Sequence, residues 1–196
     1  MPPDPDVEAW ITALQERHRR DLTTPEFLRA VRALSARYVE SRSRLDRGRA
    51  ADTPGKRAAF AAFYAPLHYF TVRAIVDALG ATAPALDPLL DVGCGTGAAS
   101  AAWATVLPGA RIAGVDRDPW MPTEAHWTWR QMGLRGAART GDAVRALAPL
   151  PSARRRVRRP WGCVLAWTAN ELAALGADDK GAGIARLQKA LRQKFA

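Results

Sequence analysis

The sequence predicts an α/β fold: a parallel sheet flanked by helices, behind an N-terminal helical extension. Three observations carry this. Short apolar runs alternate with helical stretches in the second half of the chain, a glycine-rich loop joins the first strand to the next helix, and aspartates follow the ends of successive strands.

Up to roughly residue 55 the chain is polar and helical in its spacing. Thr24, Pro25 and Glu26 predict a helix start, with a capping hydroxyl, a proline in the first turn and a carboxylate at the positive dipole end. Phe27, Val31, Leu34 and Tyr38 then recur on one face. Asp46 to Gly55 reads as a connection, dividing a helical extension (1–55) from the main domain (56–196). A long helix is expected from Lys56 to Leu79, kinked at Pro66 and closed by Gly80.

The strand pattern begins at Leu89-Leu90-Asp91-Val92, which runs into the glycines. An Ala-rich helix from Ala98 to Leu107 is stopped by Pro108-Gly109. Arg111 to Val115 is a second strand ending on Asp116, and Pro122 to Met132 a helix with Gly133 behind it. Ala137 to Thr140 reads as a short third strand, Trp161 to Trp167 as a fourth, and Ile184 to Phe195 as a helical tail. No internal repeat is visible.

The 196 residues suffice for one full domain, and 48% hydrophobic with 24% charged residues is ordinary for a globular protein. The charge balance is not ordinary: net +10, with a pI near 10.7. Such an excess favours a polyanionic partner, nucleic acid first, although an Arg-rich solvated surface would give the same total. Two cysteines, Cys94 and Cys163, support neither a disulfide framework nor a metal site and read as reduced packing residues of a cytoplasmic protein. The N-terminus lacks a secretory pattern. The apolar run from Ala58 to Leu79 is broken by Pro66, His68, Arg73 and Asp77, so an amphipathic helix is expected there rather than a membrane span.

The loop Asp91-Val92-Gly93-Cys94-Gly95-Thr96-Gly97 lies between a predicted strand and a predicted helix, where glycines let backbone pass close to a ligand. Gly93, Gly95 and Ala98 also satisfy a dinucleotide fingerprint. Asp91 separates the readings, because its carboxylate would repel a pyrophosphate but attract the ammonium of a methionine moiety. Asp116 stands where an acid can accept from both hydroxyls of a ribose, or serve only as a turn residue. Asp142 can accept from the amine of adenine, or cap the following helix.

In order and spacing, Asp91 to Gly97, Asp116 and Asp142 resemble the class I S-adenosylmethionine (SAM)-dependent methyltransferases. The resemblance implies a Rossmann-like SAM-binding sheet, with cofactor contacts at Asp91, Gly93, Cys94, Gly95, Gly97, Asp116, Arg117 and Asp142. Phe63 to Tyr69 and Val164 to Leu172 further resemble the small-ribosomal-subunit methyltransferase-like family, which places residues such as His68 and Tyr69 near the cofactor and implies an rRNA or ribosome-associated acceptor. A non-catalytic SAM- and RNA-binding assembly factor and a small-molecule methyltransferase are the alternatives. The Cys-rich metal-binding stretch usual in that family has no counterpart here, so no metal is expected.

The catalytic residues are not legible. Thr168-Ala169-Asn170-Glu171 is not the Pro-Pro-aromatic signature of amino-directed enzymes, and Asn170 and Glu171 are weak candidates that could equally cap a helix. Arg154, Arg155, Arg156, Arg158 and Arg159 form the densest charge and suit phosphate contacts, or simply solvation. Trp127 and Trp129 cannot share a helix face, so one is expected in the core and one at a contact surface. The resembling fold has seven strands, of which four (strands 1–4) are visible. The domain is therefore expected to be incomplete at its C-terminus, with an open fourth-strand edge prone to self-association.

Overall fold

The computed structural model describes residues 6–40, 51–80, 86–107, 109–147 and 160–168, with isolated positions at 185, 188, 189 and 192. Most of the tail helix, Arg154 to Arg159, Asn170 and Glu171 thus lie outside the described residues, as does any continuation of the sheet beyond its fourth strand.

Helix α1 (Val7–Arg19) starts at Asp6, whose carboxylate accepts the Ala9 N–H at 2.9 Å. Trp10 and Leu14, four residues apart, bury one face of it. Helix α2 (Thr24–Glu40) begins one residue earlier than the sequence suggested. Thr23 is the capping residue, its N–H and hydroxyl both donating to Glu26, at 2.8 and 2.6 Å. That places Thr24 inside the helix, because the Glu26 carboxylate reaches back three residues as in a capping box. Phe27 and Leu34 are buried beneath it.

The long helix around Pro66 is continuous, though not uniformly α. Helix α3 (Pro54–Ala59) leads into a π-helical turn (Phe60–Tyr64) and then α4 (Ala65–Ala78). Pro66 has no N–H for the carbonyl of Ala62 and its ring crowds it, and a widened turn relieves that conflict in place of a sharp kink. The Ala62 carbonyl accepts from Gln15 Nε2 of α1 at 2.9 Å.

Four parallel strands follow, β1 (Leu89–Val92), β2 (Arg111–Asp116), β3 (Arg135–Thr140) and β4 (Gly162–Val164), in spatial order β3-β2-β1-β4. The fully buried strand β1 lies between β2 and β4, with Asp91 opposite Gly114 and Val164. Between them run α5 (Ala98–Ala104), α6 (Trp120–Gln131) and α7 (Ala143–Leu147). Helix α5 is shorter than expected, its end tightening into i→i+3 turns at Val106 and Leu107. Strand β3 starts two residues early, because register with β2, not apolarity, holds Arg135 and Gly136 in the sheet. Strand β4 is confined to three residues, because the chain turns at Ala166-Trp167 rather than running straight to Trp167.

The main core lies on one sheet face. Trp10 and Leu14 of α1 join Tyr69 and Val76 of α4, Ala101 of α5 and Trp129 of α6 there, so the packing is continuous across residue 55. The opposite face holds Leu90, Val92, Val115 and Ala146. Among the described residues no helix is long and apolar enough to cross a membrane.

Candidate functional site

Ligands of open α/β sheets bind beyond the strands' carboxyl ends, where the connections diverge to opposite sides. Here that point lies between β1 and β4, and the glycine loop starts there. Its first residues are pinned to the neighbouring strand: the Gly93 and Cys94 N–H groups both donate to the Val115 carbonyl, at 2.8 and 3.0 Å. The Gly95 N–H donates to Asp116 Oδ2 at 2.9 Å.

Two glycines are held where no other residue fits. Gly93 has φ +71°, and a Cβ on it would sit 2.1 Å from the Thr168 hydroxyl. Gly97 has φ +79°, and its Cβ would meet the Trp129 indole nitrogen at 2.6 Å. That indole N–H donates to the Gly97 carbonyl at 3.0 Å. Trp129 reaches the loop by lying on the sheet over Gly114 and Gly136, where a Cβ would come within 2.7 and 2.3 Å of its ring. Trp129 is thus the core tryptophan of the pair, and Trp127 is half-buried against the core and α1 of the same chain, with Arg17 5.0 Å over its ring and His18 edge-on at 6.5 Å.

Asp91 is buried on the side of the sheet facing α5, and its Oδ2 has no hydrogen-bond partner. Burial pushes this carboxyl up to about 7; Ser100 on α5 pulls it down, and the neighbouring Asp116 adds to the rise. A buried carboxylate with a free oxygen is costly unless a cation or donor meets it. The Asp116 carboxyl spans two loops, Oδ2 taking Gly95 and Oδ1 taking the Asp118 N–H at 2.9 Å. Burial raises it also, partly offset by those two N–H groups. Arg117 is exposed beside it, and Asp118 holds the Trp120 N–H at 3.0 Å with one oxygen while the other is buried without a partner. Asp142 is exposed beyond β3 and caps α7, accepting the Arg145 N–H at 2.9 Å. Of its two possible roles, the cap is therefore filled.

Cys94 packs in the main core, and burial puts its thiol well above the ordinary range. Burial also takes Cys163 up to about 12. At neutral pH both are protonated, without the thiolate that nucleophilic chemistry requires.

An aromatic wall stands beside Gly95. The Phe60 ring is 3.8 Å from where a Gly95 Cβ would be. Phe60 meets Tyr64 at 6.3 Å and His68 at 6.0 Å, and His68 stacks on Trp167 at 4.0 Å and 26°. Burial lowers His68 to about 4. Tyr69 points the other way, into the core against Trp10 at 5.6 Å. Trp167 has φ +61°, and a bulky residue in that region costs about 1–2 kcal/mol. The next residue, Thr168, folds back so that its hydroxyl donates to the Val92 carbonyl at 2.8 Å.

Strand end, left-handed glycine cradle, buried acid and second-strand acid form one continuous edge along β1 and β2. A family model described as a methyltransferase domain matches residues 89–194, more than half of the chain. The chain belongs to this methyltransferase family. It is a SAM-dependent enzyme of class I, and the four-stranded parallel sheet is the Rossmann-like arrangement that the resemblance implied. No curated protein matches the chain.

The site of this methyltransferase fits its cofactor. The unpartnered Asp91 oxygen suits an ammonium, and of the three loop glycines Gly95 has the most open surroundings, its nearest neighbour being the Phe60 ring 3.8 Å from where a Cβ would be. Asp116 keeps acceptor capacity, since each carboxylate oxygen can take a second hydrogen bond. Three features of the site were not legible beforehand: the Trp129 anchor, the Thr168 lock and the aromatic wall apart from His68, which the resemblance placed near the cofactor. Gly114 and Gly136 inside strands were the available signal for the first, since glycine there marks a close approach.

Proposed function

We propose that this methyltransferase acts on RNA, with small-subunit ribosomal RNA as its acceptor, in the cytoplasm. The observation that carries the reading is the net charge of +10, an excess suited to a polyanion. The likeness of residues 63–69 and 164–172 to the small-ribosomal-subunit family supports it.

In this reading the Asp91 carboxylate meets the ammonium of the cofactor's methionine end, and Gly93, Cys94, Gly95 and Gly97 line its passage. Asp116 accepts from the ribose with Arg117 beside it, and Asp142 is near the adenine amine while capping α7. Bound SAM would supply a methyl group activated on a sulfonium for transfer to the acceptor. The protein's part is chiefly to bring donor and acceptor into line. Asn170 and Glu171 follow the fourth strand and are the nearest polar candidates in sequence to the transferred methyl.

Arg154, Arg155, Arg156, Arg158 and Arg159 contact phosphates in this account. Replacing all five by Ser should weaken RNA binding and flatten the log–log salt dependence by roughly 0.7–0.9 per lost contact. Unchanged affinity and slope would leave that segment without a binding role. Transfer of labelled methyl from SAM to rRNA, protein and metabolite fractions tests the acceptor. Label in rRNA is expected, and label confined to another fraction would refute the proposal.

A further inference from the structure

Resting on the RNA reading above, the geometry points to Trp167, backed by His68, Phe60 and Tyr64, as the subsite on which this enzyme stacks the flat heterocycle of an RNA base. Several observations lead there. The wall adjoins the glycine loop, with Phe60 next to Gly95, so a ring on it lies beside the cofactor cradle. Trp167 also lies at the carboxyl ends of β1 and β4, because it follows β4 and the next residue, Thr168, is fastened to the Val92 carbonyl at the end of β1. That is the crevice where this architecture admits its ligands.

Trp167 is 40% exposed although one face is stacked on His68, which leaves its other side open. It is also the one non-glycine residue with positive φ among the described residues, and a bulky residue held there against its preference suggests a task. The stack is uncharged at neutral pH, since burial keeps His68 near 4. It therefore offers π surface and not a proton or a cation. Phe63 and Leu67 on the same helical segment are exposed too, so apolar surface extends beyond Trp167 on this side of the molecule. An open platform on a strongly basic protein suits a base presented by a polyanion better than an enclosed metabolite.

The test uses a short single-stranded RNA carrying 2-aminopurine, whose fluorescence falls on stacking, added to the full chain with S-adenosylhomocysteine. Quenching is expected with the native protein and with Trp167→Phe. Trp167→Gly suits the backbone at φ +61° and should therefore fold, with unchanged S-adenosylhomocysteine affinity. It should lose the quenching and bind the RNA roughly 5- to 150-fold more weakly, the range for losing one stacked base. Quenching equal in native protein and Trp167→Gly would place the base elsewhere and overturn the inference alone. Competition by a tyrosine-containing peptide as strong as that by free nucleosides would also overturn it, in favour of a protein acceptor. RNA binding absent by anisotropy while S-adenosylhomocysteine binds would remove both the subsite and the RNA reading, leaving the methyltransferase intact.

Discussion

Thr168 occupies the space that a side chain on Gly93 would need: its hydroxyl donates to the Val92 carbonyl at 2.8 Å and would lie 2.1 Å from a Gly93 Cβ. Two residues 75 apart in sequence thus close the first turn of the cofactor loop against the end of β4. Gly93→Ala should cost about 2–4 kcal/mol, combining left-handed strain with overpacking. Thr168→Ala alone should cost about 1 kcal/mol for the lost hydrogen bond. Because the methyl introduced at position 93 would no longer meet the hydroxyl, the double variant should be less destabilised than the sum. Urea denaturation of the four proteins checks this, and strict additivity would mean that the two residues do not oppose each other.

Glu124 fastens α1 to α6. It is buried and accepts from Arg17 at 3.0 and 3.3 Å and from His18 at 3.0 Å. Burial alone would raise its pKa, but His18 and Arg17 hold it below the ordinary value. A depressed folded pKa means that the ionised carboxyl contributes stability above pH 4.5, and that this contribution is lost as pH falls through the folded value. Glu124→Gln should destabilise by about 1–3 kcal/mol at neutral pH. Its deficit should shrink in acid, measured as the difference in urea midpoint from the native chain.

Asp91 has the opposite sign. Its pKa is raised from the ordinary 3.8 to about 7, so between those values the folded chain holds a proton that the unfolded chain has lost. Stability of the cofactor-free protein should therefore fall as pH rises across that window and level off above it. At roughly 1.4 kcal/mol per pH unit the loss is at most about 4–5 kcal/mol. Asp91→Asn should remove this slope. A native-minus-variant difference that stays flat from acid to neutral pH would show that Asp91 ionises normally.

Asp91 also predicts a proton linkage for the cofactor. An ammonium opposite it favours the ionised carboxylate, so binding at pH 6 should expel close to one proton (about 1) and binding at pH 8 almost none. Calorimetry in two buffers of different ionisation enthalpy measures this. Equal heats in both buffers at pH 6 would separate Asp91 from the bound ammonium.

The strand–loop–helix unit was legible because its signals are local: an apolar run, glycines at fixed offsets, then an Ala-rich helix. Asp91 and Asp116 were legible for the same reason, each standing at a fixed distance from a glycine or a strand end. What escaped depends on residues far apart in the chain. Trp129 reaches Gly97 only because Gly114 and Gly136 leave a slot in the sheet, and nothing beside Trp129 in sequence marks it. At the π-turn before Pro66 the Ala62 carbonyl is met by Gln15 of α1, a partner distant in sequence, whereas the local pattern alone gave a kink. Strand β4 read as seven residues because Leu165 to Trp167 are apolar, yet the chain turns at Trp167 to bring Thr168 over Val92. Asp142 satisfied two patterns at once, and the structure fills one of them as the α7 cap.

The most direct test of the account is calorimetric titration of the purified chain with S-adenosylhomocysteine, repeated with Asp116→Ala. The native chain should bind, and the variant should lose about 1.5–3 kcal/mol, the worth of hydrogen bonds from a ribose diol to a charged acceptor. Equal binding by both proteins, or binding of NADH with no heat from S-adenosylhomocysteine, would contradict the placement of the cofactor on the Asp91–Gly97 loop and Asp116.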